Sequence, residues 1–306
     1  MKVADFPSPG NPIDPSFNAE IMSRVYGMIT NIDDNIGRLL KKLDELNLRE
    51  NTIVIFMTDN GPATPRFNAG LRGIKGSTFE GGIRAPFALR WPAKIKGPTR
   101  GGVIAAHIDV APTLLDACGV SVPADIKFDG QSLMPSLDMF TSAIWLDRTL
   151  YFQWHRGDAP EMYRAFSAIG RQYKIVQAEG SDGNTKIDPN KIMLFDLTTD
   201  PFEQHDLATE KPDVVAAMRL GYEQWLADVS ATRGYDPVRI IIGTEHEDPV
   251  TLTRQDWRGP KAGWGADSQG YWEVEFATEG PYEITLHFPA KAAAPSSTKS
   301  TPSAKD

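Results

Sequence analysis

Residues 52–86 read TIVIFMTDNGPATPRFNAGLRGIKGSTFEGGIRAP. The stretch begins as an apolar run over residues 52–58, breaks at Asp59 and Asn60, and continues as a glycine-rich loop. A short apolar run bounded by turn residues predicts a buried strand, as in a parallel α/β sheet. Ligands of open α/β sheets bind beyond the carboxyl ends of the strands, where Asp59 and Asn60 follow. Both side chains offer hard oxygen atoms, the ligand type that Ca²⁺ and Mg²⁺ prefer.

The glycine-rich loop carries one lysine, Lys75, between Ile74 and Gly76. Glycines on both sides of this lysine allow the loop to fold back closely over the strand end. Lys75 would then be a point charge facing an anion. Glu80 and Arg84, four residues apart, are interpreted as an internal ion pair that braces the loop.

The segments around this stretch alternate between helix and strand patterns. Apolar residues recur at three- and four-residue steps from residue 18 to about 48, which predicts an amphipathic helix with one core face. Residues 85–91 predict a second strand. A helix follows, with Asp109 as a cap and a stop at Gly119. Cys118, the only cysteine, lies in an apolar segment and is expected in the core.

The second half of the chain has the pattern of a small antiparallel sheet and a helix. The strand-like runs are residues 149–154, 163–169, 173–177 and 194–197, and the amphipathic helix is expected over residues 211–229. From about residue 240, apolar and polar residues alternate on either side of a turn at 279–281, which indicates a partial β module. Residues 289–306 are rich in alanine, proline, serine and lysine, a composition that predicts disorder.

Composition excludes several classes of partner. The net charge of −8 and pI near 5.2 disfavour broad binding to nucleic acid or to anionic membranes. No apolar run reaches the roughly 18 residues that a membrane span requires. Residues 1–17 are polar and proline-rich and lack the apolar core of a signal peptide, so the sequence leaves the compartment unknown.

Three cationic side chains elsewhere are further candidates for the site. His107 precedes the helix at 109 and is more simply explained as a packed or capping residue than as a ligand. His155 and Arg156 close the first strand of the antiparallel sheet, where they could bind an anionic substrate or be a solvated strand end. All three are kept as candidate substrate-binding residues.

The combination of Asp59-Asn60-Gly61 with GIKGSTFEGGIRAP some fifteen residues later strongly resembles the formylglycine-dependent sulfatases of the alkaline-phosphatase-like superfamily. Residues 26–46, 106–120 and 194–215 are also similar to segments of that family. The resemblance covers roughly residues 18–230, and the module from 240 resembles an appendage of some bacterial arylsulfatase-like members. It implies an alkaline-phosphatase-like α/β/α core, present as its C-terminal portion only, with a small C-terminal antiparallel α+β subdomain and a partial β module.

The resemblance also implies roles for individual residues. Asp59 and Asn60 match the family's ligands to one calcium ion, and Lys75 matches the catalytic lysine that contacts the sulfate ester and its leaving oxygen. In such enzymes a hydrated formylglycine attacks sulfur while the metal and cations hold the sulfate oxygens. The substrate is expected to be a sulfate monoester, either a small molecule or a glycan, and family members are often exported, periplasmic or extracellular.

The sequence departs from the family in lacking the motif that becomes formylglycine. Neither C/S-x-P-S-R nor C/S-x-A-x-R occurs. We therefore expect the C-terminal half of a sulfatase, which needs an N-terminal half and is inactive and poorly soluble alone. The expected divisions are residues 1–147 for the core portion, 148–235 for the subdomain, 236–288 for the β module and 289–306 for the tail.

Two other functions remain open. One is a phosphodiesterase or phosphonate hydrolase of the same superfamily, and the other is a non-catalytic binding remnant of the fold. The nucleophile region of the intact protein would decide between the sulfatase and the phosphodiesterase or phosphonate hydrolase.

Overall fold

The structure is a computed structural model, and it describes residues 19–95, 103–137, 148–155, 159–182, 185–231 and 234–287. Chain contacts divide the molecule into two compact units, one through Tyr235 and one from Asp236. The N-terminal loop, Arg156 and the tail at 289–306 lie outside the described residues, so the expectations for them stay predictions. No helix in the described ranges combines the length and apolarity that crossing a membrane requires.

The elements of the first unit follow the order expected from the sequence, except for two four-residue helices that the sequence did not predict. They are α1 (Ala19–Glu45), β1 (Val54–Met57), α2 (Glu80–Ile83), β2 (Phe87–Arg90), α3 (Val110–Ala117), α4 (Met134–Leu137), β3 (Leu150–Gln153), β4 (Phe166–Ile169), β5 (Tyr173–Gln177), β6 (Met193–Asp196) and α5 (Pro212–Ala231).

The core of this unit lies between α5 and a four-stranded antiparallel sheet with the order β3-β4-β5-β6. Phe166 of β4 stacks on Tyr222 of α5 with ring centroids 3.8 Å apart, and both side chains are fully buried. Every residue of β4 is buried, although an antiparallel sheet can leave one face in water. The sheet is therefore covered on both sides at this strand, and the antiparallel sheet predicted from the spacing of the runs is present.

β1, the strand within residues 52–86, has a different environment from the one expected. β1 pairs with β2 in an antiparallel two-stranded sheet, with Val54 opposite Arg90. Phe56 and Met57 are 40% and 41% exposed. The prediction of a buried strand in a parallel sheet is wrong for the described residues, because β1 has no parallel neighbour and no covering layer there.

The amphipathic pattern of α1 is present, but its predicted burial is not. No side chain between residues 20 and 45 is buried, and Met28 and Leu39 are 63% and 54% exposed. Periodicity reports that a helix has an apolar face, whereas burial requires a partner surface. Cys118, the C-cap residue of α3, is likewise exposed rather than in the core.

The second unit is a small, loop-rich module. β7 (Ile240–Ile242) and β8 (Val274–Phe276) pair in parallel. Trp257 and Trp272 pack edge to face, with ring centroids 5.9 Å apart. The alternating pattern after the turn at 279–281 does not form a strand within residues 282–287.

Candidate functional site

The carboxyl end of β1 leads directly to Asp59 and Asn60. Asp59 is exposed, and its Oδ1 accepts a hydrogen bond from the backbone N–H of Asn60 at 2.9 Å. The amide Nδ2 of Asn60 donates to the carbonyl of Gly61 at 2.8 Å. This bond fixes the Asn60 amide plane, and its Oδ1 is then the atom that could serve as a ligand.

The turn after Asn60 packs against the end of the glycine-rich loop at backbone contact. The N–H of Gly61 donates to the carbonyl of Gly82 at 2.8 Å. A Cβ atom on Gly61 would lie 1.8 Å from the oxygen of Gly81, and a Cβ on Gly82 would lie 2.0 Å from that of Ser77. Glycine is required at both positions because no side chain fits between these backbones.

Lys75 is joined to the same turn through its backbone. Its N–H donates to the carbonyl of Pro62 at 2.9 Å, and its side chain is exposed. Gly73 and Gly76, on either side, both have φ of +86°, a conformation that glycine adopts without strain. This backbone bond therefore holds Lys75 beside Pro62, in the turn that follows Asp59 and Asn60.

The remaining candidates are less directly connected to this turn. His107 is exposed and begins a 3₁₀ turn that ends at Asp109. His155 is exposed just after β3. Arg156 lies outside the described residues, and the substrate-binding roles of all three stay predictions.

The donor set after β1 fits calcium in kind but not in number. A carboxylate and an amide oxygen are suitable ligands, yet calcium takes six to eight oxygens. Among the described residues, no group of three or more His, Cys, Asp and Glu side chains is placed to hold a metal ion. Asp59 and Asn60 can therefore supply part of a calcium shell, which other groups would have to complete.

The loop that carries Lys75 is bonded to the four-stranded sheet by a buried ionic cluster. The Nζ of Lys174 donates to Oε1 of Glu80 at 2.9 Å and lies 2.8 Å from Oε1 of Glu203. Lys174 and Glu203 are fully buried, and Glu80 is 6% exposed. Arg84 lies 3.6 Å from Oε2 of Glu80, so the expected ion pair is present, but the buried partner of Glu80 is Lys174.

Glu203 contacts this loop at two points. Its Oε2 accepts the backbone N–H of Glu80 at 2.7 Å, and its carbonyl accepts Nη1 of Arg72 at 2.7 Å. Burial raises the pKa of Glu203, although the neighbouring ammonium of Lys174 opposes that shift. The guanidinium of Arg72 also lies over the ring of Phe79, 4.0 Å from its centroid.

Asp109 is a buried charge of the first unit outside the Lys174 cluster. Its carboxylate accepts bonds from both terminal nitrogens of Arg148, at 2.5 and 2.8 Å, and from the N–H groups of Ala106 and Gln131, each at 2.8 Å. Burial alone would raise the pKa of Asp109, but these donors outweigh it and hold the pKa below its ordinary range. Asp109 occupies the N-cap position of α3, as expected, but its side chain makes no capping bond to that helix.

Sequence reasoning missed Lys174, Glu203 and Arg72. Lys174 had a detectable signal, since a lysine inside the apolar strand YKIVQ is unusual for a fully buried strand. Glu203 and Arg72 had none, because both lie in polar segments where a charged residue is ordinary.

Comparison with known proteins supports one family. The family model for sulfatases matches residues 5–120, and the model described as N-sulphoglucosamine sulphohydrolase, C-terminal, matches residues 75–225. Mouse steryl-sulfatase is 33% identical over 229 residues, covering 64% of this chain and 36% of the relative. Human arylsulfatase A is 30% identical over 241 residues, covering 72% of this chain and 46% of the relative.

Solved structures support the same fold. Ps i-CgsB in complex with k-i-k-neocarrahexaose is 25% identical with a TM-score of 0.57, over 69% of this chain and 44% of that one. BT4656 in complex with its substrate D-glucosamine-2-N,6-O-disulfate is 25% identical with a TM-score of 0.52, over 69% and 41%. The chain belongs to the sulfatase family and has part of the alkaline-phosphatase-like fold. It spans less than half the length of these relatives.

Proposed function

We propose that this chain contributes part of the active site of a sulfuric ester hydrolase acting on sulfate monoesters. The observation that carries the proposal is the 2.9 Å bond from the Lys75 N–H to Pro62, which brings the lysine to the turn that follows Asp59 and Asn60. The site thereby combines candidate oxygen ligands for a cation with a lysine whose backbone is held beside them. A sulfate ester carries negative charge spread over its oxygens, which this combination would stabilise.

In this proposal each residue has a separate role. Asp59 and Asn60 hold a calcium ion together with groups supplied from elsewhere, and the bound ion would supply positive charge to the sulfate oxygens. The Nζ of Lys75 contacts the sulfate and stabilises charge that develops on the leaving oxygen. Because Lys75 is exposed, its side chain is free to reach a bound ester.

The attacking group comes from outside this chain. The sequence has neither form of the motif that yields formylglycine, and the chain covers only 36% of mouse steryl-sulfatase. We propose that a preceding N-terminal half of a sulfatase domain supplies the nucleophile, the remaining calcium ligands and the surface that covers β1. The chain alone would then be inactive.

Sulfated saccharides are the substrate class best supported. BT4656, which shares the fold, has D-glucosamine-2-N,6-O-disulfate as its substrate, and Ps i-CgsB was solved in complex with k-i-k-neocarrahexaose. His107, His155 and Arg156 remain the candidates for contacts to such a ligand.

The test uses the intact protein that contains this chain and 4-nitrophenyl sulfate as substrate. We expect calcium-dependent hydrolysis, a loss of roughly 10²–10³ in kcat for Lys75→Ala, and no turnover by residues 1–306 alone. The control Lys94→Ala, a lysine beside Trp91, should retain activity.

Other outcomes would overturn the proposal. Turnover of bis-4-nitrophenyl phosphate in preference to the sulfate would favour the phosphodiesterase alternative. Absence of any turnover by the intact protein would favour the binding remnant. Hydrolysis of the sulfate ester by the chain alone, abolished in Lys75→Ala, would contradict the need for an N-terminal half.

A further inference from the structure

The segment that carries Lys75 is attached on both sides of that lysine to a single residue outside the segment. We define the Lys75 loop as residues 59–84. Arg72, three residues before Lys75, donates to the carbonyl of Glu203, and the N–H of Glu80, five residues after it, donates to the carboxylate of Glu203. The base of the loop is also closed on itself, because the N–H of Gly81 donates to the carbonyl of Arg72 at 2.6 Å.

We propose that Glu203 and Lys174 are positioning residues that clamp the Lys75 loop onto the four-stranded sheet and so hold Lys75 at the end of β1. Glu203 bonds the two sides of the loop, and the ammonium of Lys174 joins Glu203 to Glu80. The proposal rests on the proposed function for the role of Lys75, while the clamp itself is a property of the described contacts.

Burial makes this clamp difficult to open part of the way. Lys174 is fully buried, and its Nζ faces the carboxylates of Glu80 and Glu203 inside the fold. If the loop moved away and took Glu80 with it, a buried ammonium would keep one carboxylate instead of two. The same movement would break the bond from the N–H of Glu80 to the carboxylate of Glu203 inside the fold, so several buried contacts are lost together and the loop is expected to be either seated or fully released.

Additional contacts support the seated position. Thr78 Oγ1 donates to the carbonyl of Phe166 at 3.3 Å, and the ring of Phe79 packs with Val176 and Phe195 of the sheet. Glu203 has φ of +57°, which is uncommon for a residue with a side chain. Such a conformation persists only where the surroundings hold it, and here contacts on both its carbonyl and its carboxylate do so.

The test is residue-resolved hydrogen exchange on the full chain, comparing Glu203→Ala with the unaltered protein. We expect the amides of Gly61, Lys75 and Gly81 to exchange at least about tenfold faster, because the bonds within the loop open more often once the loop is no longer held to the sheet. The β5 amides should keep their protection. Glu223→Ala, which removes a half-buried carboxylate of α5 from Arg219, is the matched control and should leave the loop amides unchanged.

Unchanged exchange at Gly61 and Lys75 in Glu203→Ala, or an equal increase across loop and sheet, would overturn the clamp. If this variant does not fold, Glu203→Gln and Glu80→Gln remove charge but keep side-chain shape and should give the same selective increase. On the unaltered chain, native-state exchange in low denaturant should show Lys75 and Glu80 amides opening together. Opening of Lys75 well before Glu80 would contradict the proposal.

Because exchange needs no turnover, this test is separate from that of the sulfatase function. A selective increase with an inactive intact protein would support the clamp and reject the proposed function. An equal increase in exchange across loop and sheet, together with an intact enzyme whose activity depends on Lys75, would reject the clamp and support the proposed function.

Discussion

The four-stranded sheet with α5 and the segment from α1 to β2 belong to the same unit but differ in how they bury their apolar side chains. Phe166, Ile175 and Leu194 of the sheet are fully buried. Along α1 and β1, Met28 and Phe56 are 63% and 40% exposed. Both regions have the hydrophobic pattern of their secondary structure, so the pattern does not distinguish them. What differs is whether the chain provides a partner surface.

The candidate site lies at the boundary between these two regions. The Lys75 loop follows the exposed strand β1 and is bonded to the buried sheet through Glu80 and Glu203. The sheet can therefore hold the loop while β1 lacks a covering layer in the described structure. The following predictions test that division, in order of decreasing effect.

The largest effect is expected in the buried sheet. Phe166→Ala should lower the free energy of unfolding by about 3–5 kcal/mol, because it removes a fully buried ring stacked on Tyr222. Phe56→Ala, at a 40% exposed position of β1, should cost about 1 kcal/mol or less. Urea denaturation of both variants measures the difference. Equal losses would show that the two regions do not differ as described.

The next effect concerns the buried pair that links the start of α3 to Arg148. Asp109→Asn should lower the free energy of unfolding by about 3 kcal/mol, because the guanidinium of Arg148 loses its buried counterion. The control is Asp228→Asn, since Asp228 and Lys127 form an exposed pair at 3.5 Å. That change should stay within about 0.5 kcal/mol. Similar losses in both variants would contradict the assignment of Asp109 as a stabilising buried charge.

Acid should remove the stabilisation that the same pair, Asp109 and Arg148, gives to the fold. The folded-state pKa of Asp109 lies below its ordinary value, so its stabilisation is complete above the unfolded pKa, near 3.9, and is lost as the pH falls through the folded pKa. Urea midpoints measured from about pH 6 down to pH 3 should therefore fall more steeply for the unaltered chain than for Asp109→Asn. Parallel acid limbs would show that Asp109 does not bind its proton differently on folding.

The smallest effect on stability is expected along α1. Replacing Met28 and Ile32, 63% and 49% exposed, with Gln should change the free energy of unfolding by no more than about 0.5 kcal/mol each. The same change should reduce self-association, because it removes an exposed apolar stripe. Analytical ultracentrifugation measures this. A large loss of stability instead would mean that α1 is packed in solution.

The positions of the main elements could be read from the chain. The apolar repeat predicted α1 within three residues at its C-terminal end, and the strand-like runs at 163–169 and 173–177 contain β4 and β5. The close backbone packing around Lys75 could also be predicted, because glycines mark where backbones must approach closely. Neither the pairing of β1 nor the exposure of α1 could be read in this way, since both depend on which surface lies opposite.

By itself, the sequence determined the main helices and strands of the first unit, the turn that follows β1 and the family to which the chain belongs. These depend on interactions between residues close in the chain, or on motifs that can be compared directly. Only the tertiary structure decided that Lys174 and Glu203 hold the Lys75 loop, because residues 80, 174 and 203 meet through folding. A buried charge is tolerated only where its partners surround it, and no local pattern in the sequence specifies partners that lie about a hundred residues away.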